Sequence, residues 1–230
     1  MKNSTCVIGA NVKQSLSPII FNYWLKNYKI DAKYSYKEIS LENFDKEIES
    51  LLKAKSIRGF NVTIPYKELI IKKLDKIDDS ARKIGAVNFV TKQSGLWVGK
   101  NTDWIGFEEP LLKNNTLEEV FKKIIVIGYG GAAKAIIYSL QKRTNQKIMI
   151  FNRTFEKIKH LGALKNTEAL KLSQIKKHLR GATLIINTTP GNPLAGLEAK
   201  YLELIDNTIG YDVVYRPKET DFLSFFKEKN

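Results

Sequence analysis

The run Ile124-Ile125-Val126-Ile127-Gly128-Tyr129-Gly130-Gly131-Ala132-Ala133-Lys134-Ala135 constrains the fold more than any other part of this chain. Its first half is β-branched, which suits a buried strand. Glycines follow, and then an alanine-rich stretch suited to helix. Gly128, Gly130 and Ala133 take the G-x-G-x-x-G/A positions that join strand to helix in a dinucleotide-binding unit. Gly128 allows the tight turn, and Gly130 leaves room for backbone to approach a pyrophosphate. Ala133 permits close packing of helix on strand, with free helix N–H groups turned to the phosphates. The other reading of the same residues is a glycine turn with a structural role only.

Around this unit the chain alternates between strand-like and helix-like stretches, which favours an α/β architecture. Thr5–Gly9, Tyr34–Ile39 and Gly59–Ile64 read as strands, and Leu41–Lys53 as an amphipathic helix. A helix is expected from Ser17-Pro18 to about Tyr28, with Ser17 at its cap and Pro18 at its first position. Pro65 is expected to start another short helix, and Asp78–Ile84 is helical. Val87–Thr91 and Trp97–Gly99 read as a hairpin around Gln93-Ser94-Gly95. Trp104–Leu112 then reads as a connecting helix before a second cycle of strands at 123–127, 147–151, 183–187 and 208–214. Two domains are expected, an N-terminal α/β substrate domain over 1–104 and a Rossmann-like dinucleotide-binding domain over 105–230.

Composition excludes some function classes. A hydrophobic fraction of 43% with 10% aromatics fits a globular protein. The single cysteine, Cys6, forms no internal disulfide and points to a reducing compartment. No signal peptide is expected at the start, and no stretch has the length of apolar residues that spans a bilayer. A cytoplasmic chain with no membrane partner is the expectation. The net charge of +14 raises nucleic-acid binding. Arg58, Arg82, Arg143, Arg153, Arg180 and Arg216 are the only arginines, however, and the lysines are spread along helical faces. Nucleic-acid readers favour arginine forks interleaved with aromatics, so no nucleic-acid partner is expected.

The end of the second strand of the dinucleotide unit selects the cofactor. NAD binders place an acidic residue there to hold the ribose hydroxyls. This chain has Asn152-Arg153-Thr154. Arg153 can pair with a 2′-phosphate through a charge-assisted fork, and Thr154 adds a hydroxyl. NADP(H) is therefore expected over NAD(H), the other reading of Arg153 being a surface residue in a loop.

Three segments of the first half carry polar groups in suggestive places. Ser15 and Ser17 stand at the mouth of a helix, where they can hold a carboxylate or simply cap the helix. Asn61-Val62-Thr63-Ile64-Pro65-Tyr66-Lys67 is a strand ending that aims Lys67 into a cleft or out to solvent. Gly85-Ala86-Val87-Asn88 and Asn101-Thr102-Asp103 offer amides to hydroxyl groups and one carboxylate.

Taken together, Ser15-Leu16-Ser17-Pro18, Asn61 to Lys67, Gly85 to Asn88, Asn101-Thr102-Asp103, Gly128 to Ala132, Asn152-Arg153-Thr154 and Tyr211-Asp212-Val213-Val214-Tyr215 resemble the shikimate dehydrogenase family. They occur in that family's order. The resemblance implies an oxidoreductase that reduces 3-dehydroshikimate to shikimate with NADPH, on the route to chorismate and the aromatic amino acids. It implies that Lys67 and Asp103 are the catalytic pair, and that Ser15, Ser17, Thr63, Asn88 and Tyr215 join them around the substrate. It assigns NADP(H) to Gly128, Tyr129, Gly130, Gly131, Ala132, Asn152, Arg153, Thr154, Phe155, Glu156, Lys157 and Val213, with Asp79 as a further cofactor contact. No metal ligand is assigned, and the expected state is a monomer or homodimer.

The chain departs from the family pattern after Asp221-Phe222-Leu223, where relatives continue into a Met-Leu-containing helix and a glutamine that contacts substrate. Alternatives therefore stay open: a weak or inactive binding protein of the same fold because those helices are missing, or a NAD-using quinate/shikimate dehydrogenase.

Overall fold

The computed structural model describes residues 3–113, 121–197 and 208–227. The chain falls into two compact units, Met1–Thr102 and Asp103–Asn230.

The first unit contains β1 (Asn3–Gly9), α1 (Ser17–Asn27), β2 (Ala32–Glu38), α2 (Phe44–Lys53), β3 (Ile57–Val62), β4 (Lys76–Ile77), α3 (Asp79–Ile84), β5 (Phe89–Gln93) and β6 (Leu96–Lys100). Its strands form one sheet in the order β2-β1-β3-β5-β6-β4. β1 runs parallel to β2 and β3, while β5 is antiparallel to both β3 and β6. α2 buries Phe44, Ile48 and Leu51, spaced to lie on one face. They pack on Ile8, Phe60, Val62 and Val90 from the sheet.

The second unit contains α4 (Asp103–Lys113), β7 (Lys123–Ile127), α5 (Gly131–Arg143), β8 (Lys147–Asn152), β9 (Thr167–Lys171), β10 (Leu184–Asn187), β11 (Ile209–Asp212) and α6 (Asp221–Lys227). Its sheet is parallel throughout, in the order β11-β10-β7-β8-β9. Alternate residues of a strand face opposite sides. Accordingly Ile124 and Val126 enter one apolar cluster with α5, and Ile125 and Ile127 enter another with Phe222 and Phe226 of α6. Both faces are covered, which is why β7 and β10 read as continuous apolar runs. α4 is fastened to α5 through buried Glu108, which pairs with Arg143 and accepts from Ser139 Oγ at 3.1 Å.

This strand order contains the feature that places a ligand. From β7 the chain steps outward through β8 and β9, then returns to β10 and β11 on the other side. Between β7 and β10 the direction of winding reverses, and the loops after their carboxyl ends diverge. That switch point is where open parallel sheets take their ligands.

Several elements differ from the sequence expectation. Ser17 does not cap α1. The cap position is Leu16, with no side-chain bond, and Ser15 Oγ accepts from Ser17 N at 3.2 Å instead. Pro65 starts no α-helix. Tyr66 N closes a turn on Thr63 O at 2.9 Å, and Lys67 O accepts from Val87 N at 2.7 Å, a long-range bond that fastens the turn to the segment before β5. The chain turns helical only as a 3₁₀ segment over Leu69–Lys73. The last strand stops at Asp212, short of Val214, because the Asp212 carboxyl turns back to accept Val214 N at 3.0 Å. β4 and β9 had no counterpart in the sequence reading.

Candidate active site

Each half of the candidate site is built within one unit. In the first unit it grows from the carboxyl ends of β1 and β3. Thr63 N donates to Ile8 O at 2.9 Å, and Ala10 N donates to Ile64 O at 3.2 Å. Gly9 permits this approach, since a Cβ there would lie 2.6 Å from both Thr63 Cγ2 and Val12 Cγ1.

Backbone bonds bring Thr63, Lys67 and Asn88 together. Thr63 is tied to the turn through Tyr66, Lys67 O receives Val87 N, and Asn88 O receives Val62 N at 2.9 Å. All three side chains are half-buried. Tyr66 holds the turn from beneath: it is fully buried and its hydroxyl donates to Ile39 O. The side chain of Asn88 is oriented by Thr102, whose N–H donates to Asn88 Oδ1 at 2.8 Å and whose Oγ1 lies 3.0 Å from Asn88 Nδ2.

Ser15 and Ser17 precede and open α1, both half-buried. They join the same network through a residue that sequence reasoning passed over. Tyr34 is buried on β2; its hydroxyl is hydrogen-bonded with Ser17 and donates to Asn61 Oδ1 at 2.8 Å. Asn61 Nδ2 in turn reaches Asn88 O at 3.4 Å. Burial, and then the nearby Cys6, push the Tyr34 phenol well above its usual range, so it serves as a neutral donor. A tyrosine on an alternating strand looks like core, and only its non-local partners reveal it as wiring.

Asp103 is the first residue of α4 and half-buried. In the chain it directly follows Thr102, which is bonded to Asn88. Asp79 is exposed in the first turn of α3, next to Asp78, which caps that helix by accepting Ala81 N at 2.7 Å.

In the second unit the glycine turn follows β7. Gly128 has φ of 107° and donates its N–H to Phe151 O at 2.8 Å. Gly130 is the cap position of α5, without a side-chain cap bond. A Cβ on Gly130 or on Gly191 would meet nothing within 4 Å, so both backbones border open space. Gly131 and Ala132 begin α5, whose first N–H groups have no partner within the helix. Tyr129 is half-buried, with its hydroxyl 3.2 Å from His160 Nε2 and Lys134 Nζ 5.1 Å from its ring.

Gly128, Asn152 and Arg153 line one cavity of about 400 Å³ together with Leu172 and Thr189 to Pro193. Asn152 shapes the bend by donating to Thr154 O at 2.9 Å, and Arg153 and Thr154 are exposed beyond it. Phe155 packs on the core below, whereas Glu156 is paired with Lys159 at 2.6 Å and Lys157 faces solvent. The cavity is lined by the glycine backbone at Gly128 and Gly191, close in sequence to the start of α5, and carries a cation beside β8. These features fit a dinucleotide with a phosphate at the Arg153 end.

Val213 and Tyr215 do not line that cavity. Val213 packs on the core with its N–H on Asn187 O at 3.1 Å, and Tyr215 is exposed. Val214 lies on a smaller neighbouring hollow of about 130 Å³, with Pro190, Gly191 and Asp212. Sequence reasoning also missed the Thr188–Gly191 loop and Lys171, an exposed cation paired in register with Asn152. The available signal was Asn187-Thr188-Thr189-Pro190-Gly191 at the end of an apolar strand, a turn signature that gives no hint of which strand lies alongside.

Comparison with known proteins agrees with this geometry. Residues 7–90 match the shikimate dehydrogenase substrate binding domain, and residues 112–203 match the shikimate / quinate 5-dehydrogenase family. The shikimate dehydrogenase (NADP(+)) of Nitrosopumilus maritimus is 37% identical, with 100% of this chain covering 86% of that protein. The crystal structure of shikimate dehydrogenase from Aquifex aeolicus superposes with a TM-score of 0.83 at 37% identity, covering 99% of this chain and 84% of that one. The Thermus thermophilus shikimate 5-dehydrogenase, solved in complex with NADP(H) and shikimate, gives 0.83 at 29% identity, covering 99% and 85%. With its fold, its switch-point cavity and full-length identity above a third all in agreement, this chain belongs to the shikimate dehydrogenase family.

Proposed function

We propose that this protein is an NADPH-dependent shikimate dehydrogenase, reducing 3-dehydroshikimate to shikimate on the way to chorismate and the aromatic amino acids. The observation that supports the reading is the cavity at the end of β7, which Gly128 and Arg153 line together. Its relatives bear the same activity in their names.

Ser15 and Ser17 hold the substrate carboxylate at the mouth of α1. Thr63, Asn88 and Tyr215 bind around the ring, with Asn88 oriented by Thr102. Bound NADPH supplies a hydride to the ketone carbon. Lys67 Nζ donates a proton to the oxygen of that carbon, and in the oxidative direction the neutral amine takes it back. Asp103 orients Lys67 and a substrate hydroxyl. The α5 N-terminus from Gly130 to Ala132 receives the pyrophosphate, Arg153 and Thr154 receive the 2′-phosphate, and Val213 borders the nicotinamide. Tyr129, Asn152 and Phe155 to Lys157 complete the cofactor site, with Asp79 as a contact from the first unit. The absence of an acidic residue at the end of β8 supports NADP(H) over NAD(H). The single cysteine supports a cytoplasmic setting, with the enzyme a monomer or homodimer.

Steady-state oxidation of shikimate by the 230-residue chain tests this, with NADP⁺ and NAD⁺ compared. Turnover with a higher kcat/KM for NADP⁺ is expected. No turnover with either cofactor overturns the reading.

A further inference from the structure

Asn187 ends β10 and is only 1% exposed. A buried amide is costly unless its hydrogen bonds are made, and this one is surrounded by partners. Its Oδ1 accepts from Thr189 N at 2.9 Å and Thr189 Oγ1 at 2.7 Å. Its Nδ2 faces Gly191 O at 2.9 Å, Thr189 O at 3.3 Å and Asp212 Oδ1 at 3.2 Å. The loop that borders the cavity is thus wound around one side chain.

Asp212 ends the neighbouring strand, in register with Asn187. Besides Asn187, its carboxyl group accepts Val214 N at 3.0 Å and Thr220 Oγ1 at 2.7 Å. One carboxyl group therefore fastens two segments. Through Asn187 it holds the Thr189–Gly191 loop, and directly it holds the turn that presents Val213 and Tyr215. The hollow of about 130 Å³ lies between these segments, with Asp212 in its wall. At the other end the loop is fixed to β7 by Thr188, whose N and Oγ1 both donate to Ile127 O, at 2.9 and 2.7 Å.

We propose that Asp212 is a positioning residue for the reaction, which through Asn187 and Val214 sets the spacing of the two segments that flank the nicotinamide. This rests on the dehydrogenase reading above. The loop held through Asn187 also borders the Arg153 cavity, but Arg153 itself follows β8, two strands beyond the β10 end that Asn187 occupies. Binding of the adenine half and placement of the reactive ring are therefore separable. A shift of about 1 Å in reacting groups is enough to lower a rate on the order of 10²-fold.

The test combines an NADPH titration, followed by the emission of the bound nicotinamide, with steady-state shikimate oxidation, on the wild type, Asp212→Asn and Thr220→Val. Asp212→Asn keeps the shape of the side chain while weakening its hold on three donors. It is expected to lose most of the change in nicotinamide emission and roughly 10- to 100-fold in kcat. NADPH affinity is expected to move less than about threefold, an amount smaller than one lost hydrogen bond. Thr220→Val removes one partner of Asp212 and carries the test should Asp212→Asn not fold; about fivefold in kcat is expected, the worth of one hydrogen bond. Wild-type emission and kcat in whichever variants fold overturn the proposal, and so does a loss of kcat matched by an equal loss of NADPH affinity. If the wild type binds NADPH but does not oxidise shikimate, the dehydrogenase reading fails while the emission change still decides the role of Asp212. If the wild type does not bind NADPH, both fall.

Discussion

The hydroxyl of Thr188, donating to Ile127 O, fills the space that a Cβ on Gly128 would need. The glycine turn and the loop after β10 are one packed corner, so the requirement at Gly128 is steric as well as conformational. Its φ of 107° alone disfavours any side chain. Gly128→Ala is expected to lower stability by about 1–3 kcal/mol from backbone strain, and further from the displaced Thr188. It should also weaken NADPH binding. Thermal unfolding and NADPH titration check this, and an unchanged Tm removes the argument.

The proposed 2′-phosphate site makes Arg153 the residue that chooses the cofactor. Arg153→Ala is expected to weaken NADPH binding by about 1.5–3 kcal/mol, the worth of a hydrogen bond to a charged group. NADH binding should hardly change. Parallel titrations with the two cofactors decide it, and equal losses for both would place Arg153 outside the 2′-phosphate site.

Proton transfer is assigned to Lys67. Lys67→Ala is expected to reduce kcat by roughly 10²- to 10⁴-fold, the usual contribution of a positioned acid or base, with a smaller effect on the KM for shikimate. Asp103→Asn is expected to slow turnover as well. In the double variant the two losses should not add if, as proposed, Asp103 acts through Lys67. Near-normal turnover in Lys67→Ala would falsify the assignment.

Cys6 gives a prediction about pH. Burial pushes its thiol up to about 11, with Lys37 opposing. The folded state therefore holds the proton more tightly than the unfolded chain. The stability this confers is complete below the ordinary thiol pKa of 9.0 and is lost as pH rises through about 11. The native protein is expected to resist alkylation at pH 8 and to react once denatured. Rapid labelling of the native chain would show that the thiol is accessible.

Much of the second unit was legible because its signals are local. The residues of β7 and the glycine turn carry strand, turn and helix in one continuous stretch, and covering both faces of the sheet demands the apolar runs. The Ser94-Gly95 hairpin turn was legible for the same reason. The Thr167–Lys171 stretch was missed as β9, since an edge strand of mixed character shows no clear period. Ser17 was misjudged as a cap because its hydroxyl serves Tyr34, a partner supplied by another strand. Lys67 was similar. Its carbonyl goes to Val87, and nothing near Pro65 announces that bond. The residues proposed for the site were picked out by type and motif, whereas the hydrogen bonds of Tyr34, Asn61, Asn187 and Asp212 depend on register between distant strands.

The strand order also bears on synthesis. β7 pairs on one side with β8, which follows closely, but on the other with β10, in a register that joins Ile124 to Leu184 and Ile127 to Asn187. A chain leaving the ribosome amino end first makes the glycine turn long before the strand that completes its corner. Closing so long a crossover costs entropy before any pairing repays it. Thr188, which fills the corner beside Gly128, therefore joins the glycine turn only after β10 has been made.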